Sequence, residues 1–294
     1  DARITMMVRP WVAPIHEHNA DVDQLWVHDD SGGLGKFLAA IQMVRAERFD
    51  IGIVLPNSMR AALLLHLGQV KHRYGYLSGL GRGLLLNHGI EIDPAIRHVH
   101  QVYYYLDLLN TLCGKFQGAP RQWLTPGELE VQEVERLIME LGLDRGQPLI
   151  GLAPGSINST AKRWPADHFA ALAAGAAAET GAAILLLGSA REQNVLDRVQ
   201  AQCRGQVYNL CDKVNLGQAV ALIARLMALI TNDSGSMHIA AALRVPTVAI
   251  FGPTEWETTY PFSPVARIVR LEGVPCAPCM LRNCPIKGHP CMTG

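Results

Sequence analysis

The stretch ALITNDSGSMHIAAALRVPTVAIF, Ala228–Phe251, reads as strand, polar turn, helix and strand. The runs at 228–231 and 247–251 are apolar almost throughout, the pattern of strands buried on both faces of a parallel sheet. The helix between them, over 236–243, is Ala-rich, yet its mouth carries Asp233, Ser234, Gly235 and Ser236, with His238 one turn in. A helix that only fills a core needs far less polar chemistry at its first turn. Unpaired amides and the positive end of the helix dipole make such a mouth a cradle for a diphosphate. Asp233 can cap the helix or accept from a sugar hydroxyl, and His238 can donate to a phosphate oxygen.

The same grammar runs outward through the chain. Further strands are predicted at 3–8, 51–55, 149–153, 183–187 and 206–210. Helices are predicted near 35–48, 58–67, 98–113, 126–141, 166–180, 190–203 and 216–226. Strand–helix alternation over the whole length means an α/β fold. The alternation pauses between Gln117 and Pro148, where QGAPRQWLTPGELE precedes a charged helix. The predicted organisation is a Rossmann-like domain over 1–120, a linker with a helix over 121–147, and a second Rossmann-like domain over 148–294 with a Cys-rich end. The 294 residues suffice for two domains of ordinary size.

In open parallel sheets ligands lie beyond the carboxyl ends of the strands, so two further loops stand out. APGSINSTAKRWP, from Ala153, offers Gly155 and Ser156 for close backbone approach to an anion and Lys162 as a mobile positive charge. LGSAREQ, from Leu187, puts Glu192 at a helix start. There it can accept from ribose hydroxyls or simply favour the helix dipole. Two other glycine-rich stretches carry no phosphate motif. SGGLGKF (31–37) lacks the P-loop spacing and its Ser or Thr, and GLGRG (79–83) is not GxGxxG.

Lys plus Arg and Asp plus Glu number 26 each, so no global field points to nucleic acid. Locally, Ile51–Ile90 has no acidic residue while Arg60, Lys71, Arg73 and Arg82 are present, either a solvated face or a landing site for an anionic substrate. Glu179 and Arg225 interrupt the best candidates for a membrane span. No signal peptide is visible, so a cytoplasmic location is expected. Cys113, Cys203 and Cys211 are scattered, as small core residues are. Cys276, Cys279, Cys284 and Cys291 form C-x₂-C-x₄-C-x₆-C beside His289, which in a cytosolic chain makes a candidate structural zinc clip.

TNDSGSMHIAAALRVPTVAIFGPT, PGSINSTAKRWP and NLCDKVNLGQAVALIARLMALITNDSG resemble the glycosyltransferase family 9 heptosyltransferases of Gram-negative lipopolysaccharide synthesis. LPNSMRAALLLHLGQVKHRYGY and CAPCMLRNCPI resemble one branch, the type II ADP-heptose–lipopolysaccharide heptosyltransferases. The resemblance implies a GT-B fold, two Rossmann-like domains facing a cleft, with the nucleotide sugar in the C-terminal domain and the acceptor in the N-terminal one. It implies inverting transfer of L-glycero-D-manno-heptose from ADP-heptose to a heptose of the lipid A–Kdo–heptose acceptor, at the inner face of the inner membrane.

Gly155, Ser156, Lys162, Glu192, Asp233, Ser234, Gly235 and His238 would bind the donor, with Lys162 also catalytic. Arg60, Lys71 and Arg73 would bind the anionic acceptor. No cofactor is required for catalysis, because Lys162 and the helix mouth can neutralise ADP. The resemblance puts the general base, an Asp after the first strand, upstream of Asp1, with that first strand and its helix outside the sequence. Competing readings are a GT-B transferase or epimerase using another nucleotide sugar, and a degenerate transferase serving as a binding module.

Overall fold

The computed structural model describes residues 2–29, 31, 33–79, 81–114, 118–203 and 205–293. Gly32, Leu80 and Gln117 of the stretches named above lie outside them. The chain divides into two compact units. Asp1–Ala13 and Val22–Pro120 make the first, Pro14–Asp21 and Arg121–Gly294 the second.

In the first unit, β1 (Thr5–Val8) pairs in parallel with β2 (Gln24–Val27). A second parallel sheet runs β3 (Ile51–Val54), β4 (His72–Tyr76), β5 (His88–Ile90). Its core is modest: Val54, Ala62 and Leu86 form one cluster, Tyr76, Tyr104 and Leu108 another.

The second unit holds β6 (Leu149–Ala153), β7 (Ala183–Leu186), β8 (Val207–Asn209), β9 (Ala228–Asn232), β10 (Thr247–Phe251) and β11 (Ala266–Arg270). They form one parallel sheet ordered β11-β10-β9-β6-β7-β8, the doubly wound order of dinucleotide folds. The order reverses between β6 and β9, and such a switch point is where ligands lie in open α/β sheets. The two sheet faces bury separate cores, as the period-2 alternation of side chains requires. Leu149, Ala153, Leu185 and Leu229 pack against the helices Glu128–Glu140 and Leu216–Ala224. Ile150, Leu152, Ile184 and Leu186 pack against Ala166–Thr180 and Gln193–Gln202. Gly151 is required by close approach: a Cβ there would stand 2.5 Å from Leu226 Cδ1.

The parallel α/β architecture agrees with the sequence expectation, and β6 and β10 carry the predicted bounds. Four strands have no counterpart among the predicted ones. β4, HRYGY, lacks an apolar run. β11, ARIVR, is an edge strand whose arginines stay outside. β2 and β5 are only four and three residues long. The helix Glu128–Glu140, within the expected linker, puts Val134 and Ile138 into the second unit's core. Among the described residues no helix is long and apolar enough to cross a membrane.

Candidate functional site

The loops after β6, β9 and β10 meet at the switch point. β9 ends on Asn232, fully buried, which staples two of them. Its Nδ2 donates to Pro154 O at 2.7 Å and to Gly155 O at 3.4 Å, and its Oδ1 accepts from Trp164 N at 3.1 Å. Both ends of the 154–164 loop are thus fixed by one amide. Within that loop Arg163 donates through Nε and Nη2 to the carbonyl of buried Ser156.

Lys162 closes a short 3-10 turn, Thr160–Lys162, and reaches the neighbour of the staple. Its Nζ lies 2.7 Å from Asp233 Oδ2, with 27% of the lysine side chain and 7% of the aspartate side chain exposed. The same carboxylate oxygen accepts from Thr254 Oγ1 at 2.7 Å. Residues from three loops therefore converge on Asp233. This corrects one expectation: Asp233 does not cap the helix. The N-cap of Gly235–Ala242 is Ser234, with no side-chain cap hydrogen bond, and its hydroxyl pairs with Thr231 Oγ1 at 3.0 Å. The helix mouth is therefore unblocked by any capping side chain, and Gly235 is exposed with open space where a Cβ would stand. First-turn amides have no partner inside their own helix, so this mouth presents donors beside an ammonium. His238 follows one turn in, partly buried.

Glu192 is buried and closes a capping box. Its Oε2 accepts from Ser189 N and Ser189 Oγ, both at 2.9 Å, which is the helix-start role foreseen as the alternative to ribose binding. Its Oε1 faces Gly155, where a Cβ would approach to 2.0 Å. Gly155→Ala should therefore dislodge the carboxylate or the loop, at roughly 1–3 kcal/mol. A urea titration checks this, and an unchanged midpoint would contradict the packing described.

The basic stretch of the first unit does not act as one patch. β3 and β4 are parallel, with Ile51 opposite His72. Arg60, in the helix Met59–Leu67 after β3, lies toward the carboxyl edge, whereas Lys71 precedes β4 and lies at the amino edge. Arg73 is spent on backbone, its Nε donating to Leu85 O and its Nη1 to Val70 O. Arg82 is fully buried, with Nη1 on Pro56 O at 3.3 Å. Arg60 is exposed, with its guanidinium over Phe37 at 4.3 Å.

The zinc expectation meets a geometric obstacle. Zn–S bonds of about 2.3 Å bring four tetrahedral sulfurs to about 3.8 Å from one another. Among the described residues the one group of three or more His, Cys, Asp or Glu with ligand atoms within 4.8 Å is Glu17, His18 and Glu130. Cys276, Cys279, Cys284 and Cys291 are not so gathered. Burial pushes the Cys291 thiol up, and Cys276, Cys284 and Cys279 add to the shift.

Neither Asn232 nor Thr254 is among the site residues expected from the sequence. A polar residue ending a buried strand was the one available signal for Asn232, since such a group must find partners.

The family model described as Glycosyltransferase family 9 (heptosyltransferase) matches residues 37–289. Lipopolysaccharide heptosyltransferase 2 of Salmonella typhimurium is 33% identical over 92% of this chain and 80% of its own length. The Escherichia coli protein of that name aligns with the same figures. Among solved structures, E. coli ADP-heptose lps heptosyltransferase II superposes with a TM-score of 0.80 at 31% identity, covering 92% of this chain and 82% of that one. A glycosyl transferase family 9 structure from Veillonella parvula gives 0.84 at 24% identity, over 91% and 77%, a likeness of fold.

Proposed function

This chain belongs to glycosyltransferase family 9, the heptosyltransferases, and from that premise we propose how its residues divide the work. It is a GT-B glycosyltransferase that moves heptose from ADP-heptose to the heptose of the lipopolysaccharide inner core. The acceptor hydroxyl oxygen bonds to the anomeric carbon with inversion as the bond from that carbon to the diphosphate breaks. The hydroxyl proton passes to a base and ADP departs. Positive charge gathers on the sugar and negative charge on the leaving group, as in other oxocarbenium-like glycosyl chemistry.

The observation that carries the reading is the convergence of Lys162, Asp233 and Thr254 beside the uncapped mouth of Gly235–Ala242. In this scheme the amides at Ser234–Ser236, with Lys162, meet the diphosphate as its charge grows. Fixed donors in a low-dielectric site need little reorganisation. Asp233 and Thr254 hold the ammonium in place, and His238 donates to a phosphate oxygen. The Oε1 of Glu192, beside Gly155, takes the ribose, and Ser156 lends backbone to the same wall. The leaving group's charge is met by these groups, so the scheme routes no step through a metal. Arg60 is retained for the anionic acceptor, while Lys71 and Arg73 are not. Because that acceptor is a lipid, the chain would work at the cytoplasmic face of the inner membrane.

Thermal unfolding with ADP-heptose, and with UDP-sugars as controls, tests the reading. A ligand at about 100 times its Kd adds about 2.7 kcal/mol of stability. The expected result is a rise of several degrees in Tm with ADP-heptose and little with UDP-sugars. Equal rises with both would favour a different nucleotide sugar.

A further inference from the structure

The Cys-rich end, which no step above uses, lies against two of the three loops that converge on Asp233. On the Lys162 side, Arg282 O accepts from Ala161 N at 3.1 Å and from Ser159 Oγ at 3.0 Å. Asn283 Oδ1 accepts from Thr160 Oγ1 at 2.7 Å. The His289 ring donates through Nε2 to Ala161 O at 2.8 Å. On the Thr254 side, Cys279 N and Met280 N both donate to Pro253 O, at 3.0 and 2.8 Å. Below that loop Met292 and Cys291 are buried against Gly252, where a Cβ would come within 2.3 Å of Met292 Sδ.

The peptide groups of Ala161 are therefore held at both poles, its N–H by Arg282 and its carbonyl by His289. Ala161 is 1% exposed and immediately precedes Lys162. The His289 backbone has φ 52°, a conformation that costs energy for a residue with a side chain and persists where surrounding structure demands it. Here it accompanies a ring placed on the loop across 128 residues of sequence.

We propose that the Cys-rich segment is a clasp that positions the diphosphate ligands, and that His289 is the positioning residue through which it fixes Lys162. The clasp rests on the reading of Lys162 as a diphosphate ligand. Without the His289 bond the turn Thr160–Lys162 gains freedom, and the ammonium loses its aim while the sheet beneath stays intact. The effect belongs to donor binding and leaves the acceptor KM unchanged.

The test is ADP affinity by calorimetry on the full chain, for the wild type, His289→Ala, His289→Gln, Lys162→Ala and the double variant Lys162→Ala/His289→Ala. His289→Ala should weaken ADP about tenfold and raise the donor KM similarly. His289→Gln, which keeps an N–H donor, should recover most of the loss. The double variant should bind ADP no more weakly than Lys162→Ala alone, the signature of one residue acting through the other.

Wild-type ADP affinity in His289→Ala, or additive losses in the double variant, would overturn the clasp and leave the donor site standing. Wild-type affinity in Lys162→Ala would instead overturn the donor site itself. Should His289→Ala fail to fold, Thr160→Val, which removes the bond to Asn283, takes its place. It should weaken ADP in the same direction, and unchanged affinity would count against the clasp.

Discussion

Lys162→Ala should lower kcat/KM for ADP-heptose by a factor of roughly 10² to 10³, the loss typical when one preorganised donor to a developing anion is removed. The reason lies in the pair it leaves. Lys162 Nζ and Asp233 Oδ2 are 2.7 Å apart, and the aspartate is 93% buried. Deleting the ammonium removes the positive charge from the diphosphate and leaves a buried carboxylate that still accepts from Thr254. Both changes oppose binding of a second anion. Removing one partner of a buried pair commonly costs about 3–5 kcal/mol, and partial exposure of the lysine puts this case at the lower end. Lys162→Arg should not rescue activity fully, because a planar guanidinium cannot replace a point charge seated on Asp233. Calorimetry with ADP and a transfer assay would show the effect. Wild-type values in both would remove Lys162 from the site.

Asn232→Ala should produce the largest loss of stability. The substitution strands the buried Pro154 O and the partly buried Trp164 N, and Gly155 O loses its weaker contact. Each buried group left without a partner costs about 1–3 kcal/mol, so a loss of roughly 2–5 kcal/mol is expected. Asn232→Asp should be no better. It keeps the acceptor for Trp164 N but sets a carboxylate against two carbonyl oxygens. Chemical denaturation of the isolated variants measures the loss through the midpoint. ADP affinity should fall as well, because the loop carrying Lys162 loses its two ties to Asn232, at Pro154 and at Trp164. A variant with wild-type midpoint and affinity would show that the staple is dispensable.

What the sequence made legible follows from which forces are local. β6 and β10 were readable because burial on both faces leaves an apolar run with sharp ends. The helix mouth at Ser234–Ser236 was readable because polar residues crowded the end of one such run. Glu192 was readable in position, though its capping-box partner Ser189 shows the helix start as its evident task. The contacts that assemble the site were hidden. Asn232 reaches 78 residues back to Pro154, Thr254 reaches 21 residues back to Asp233, and His289 reaches 128 residues back to Ala161. No periodicity records such bonds.

The basic stretch is dispersed by the fold for a related reason. A window of sequence counts charges regardless of sheet edge, yet Arg60 and Lys71 fall at opposite ends of parallel strands. Arg82 adds to the charge count while lying wholly inside. The spacing of the terminal cysteines suits a metal clip but carries no sign that the same segment backs the Lys162 and Thr254 loops.

The most direct measurement is a crystal structure of this chain soaked with ADP. The account predicts diphosphate oxygens within hydrogen-bond distance of the amides at Ser234–Ser236 and of Lys162 Nζ, with Asp233 and Thr254 still joined behind them. ADP seated elsewhere, with that helix mouth facing only water, would contradict it.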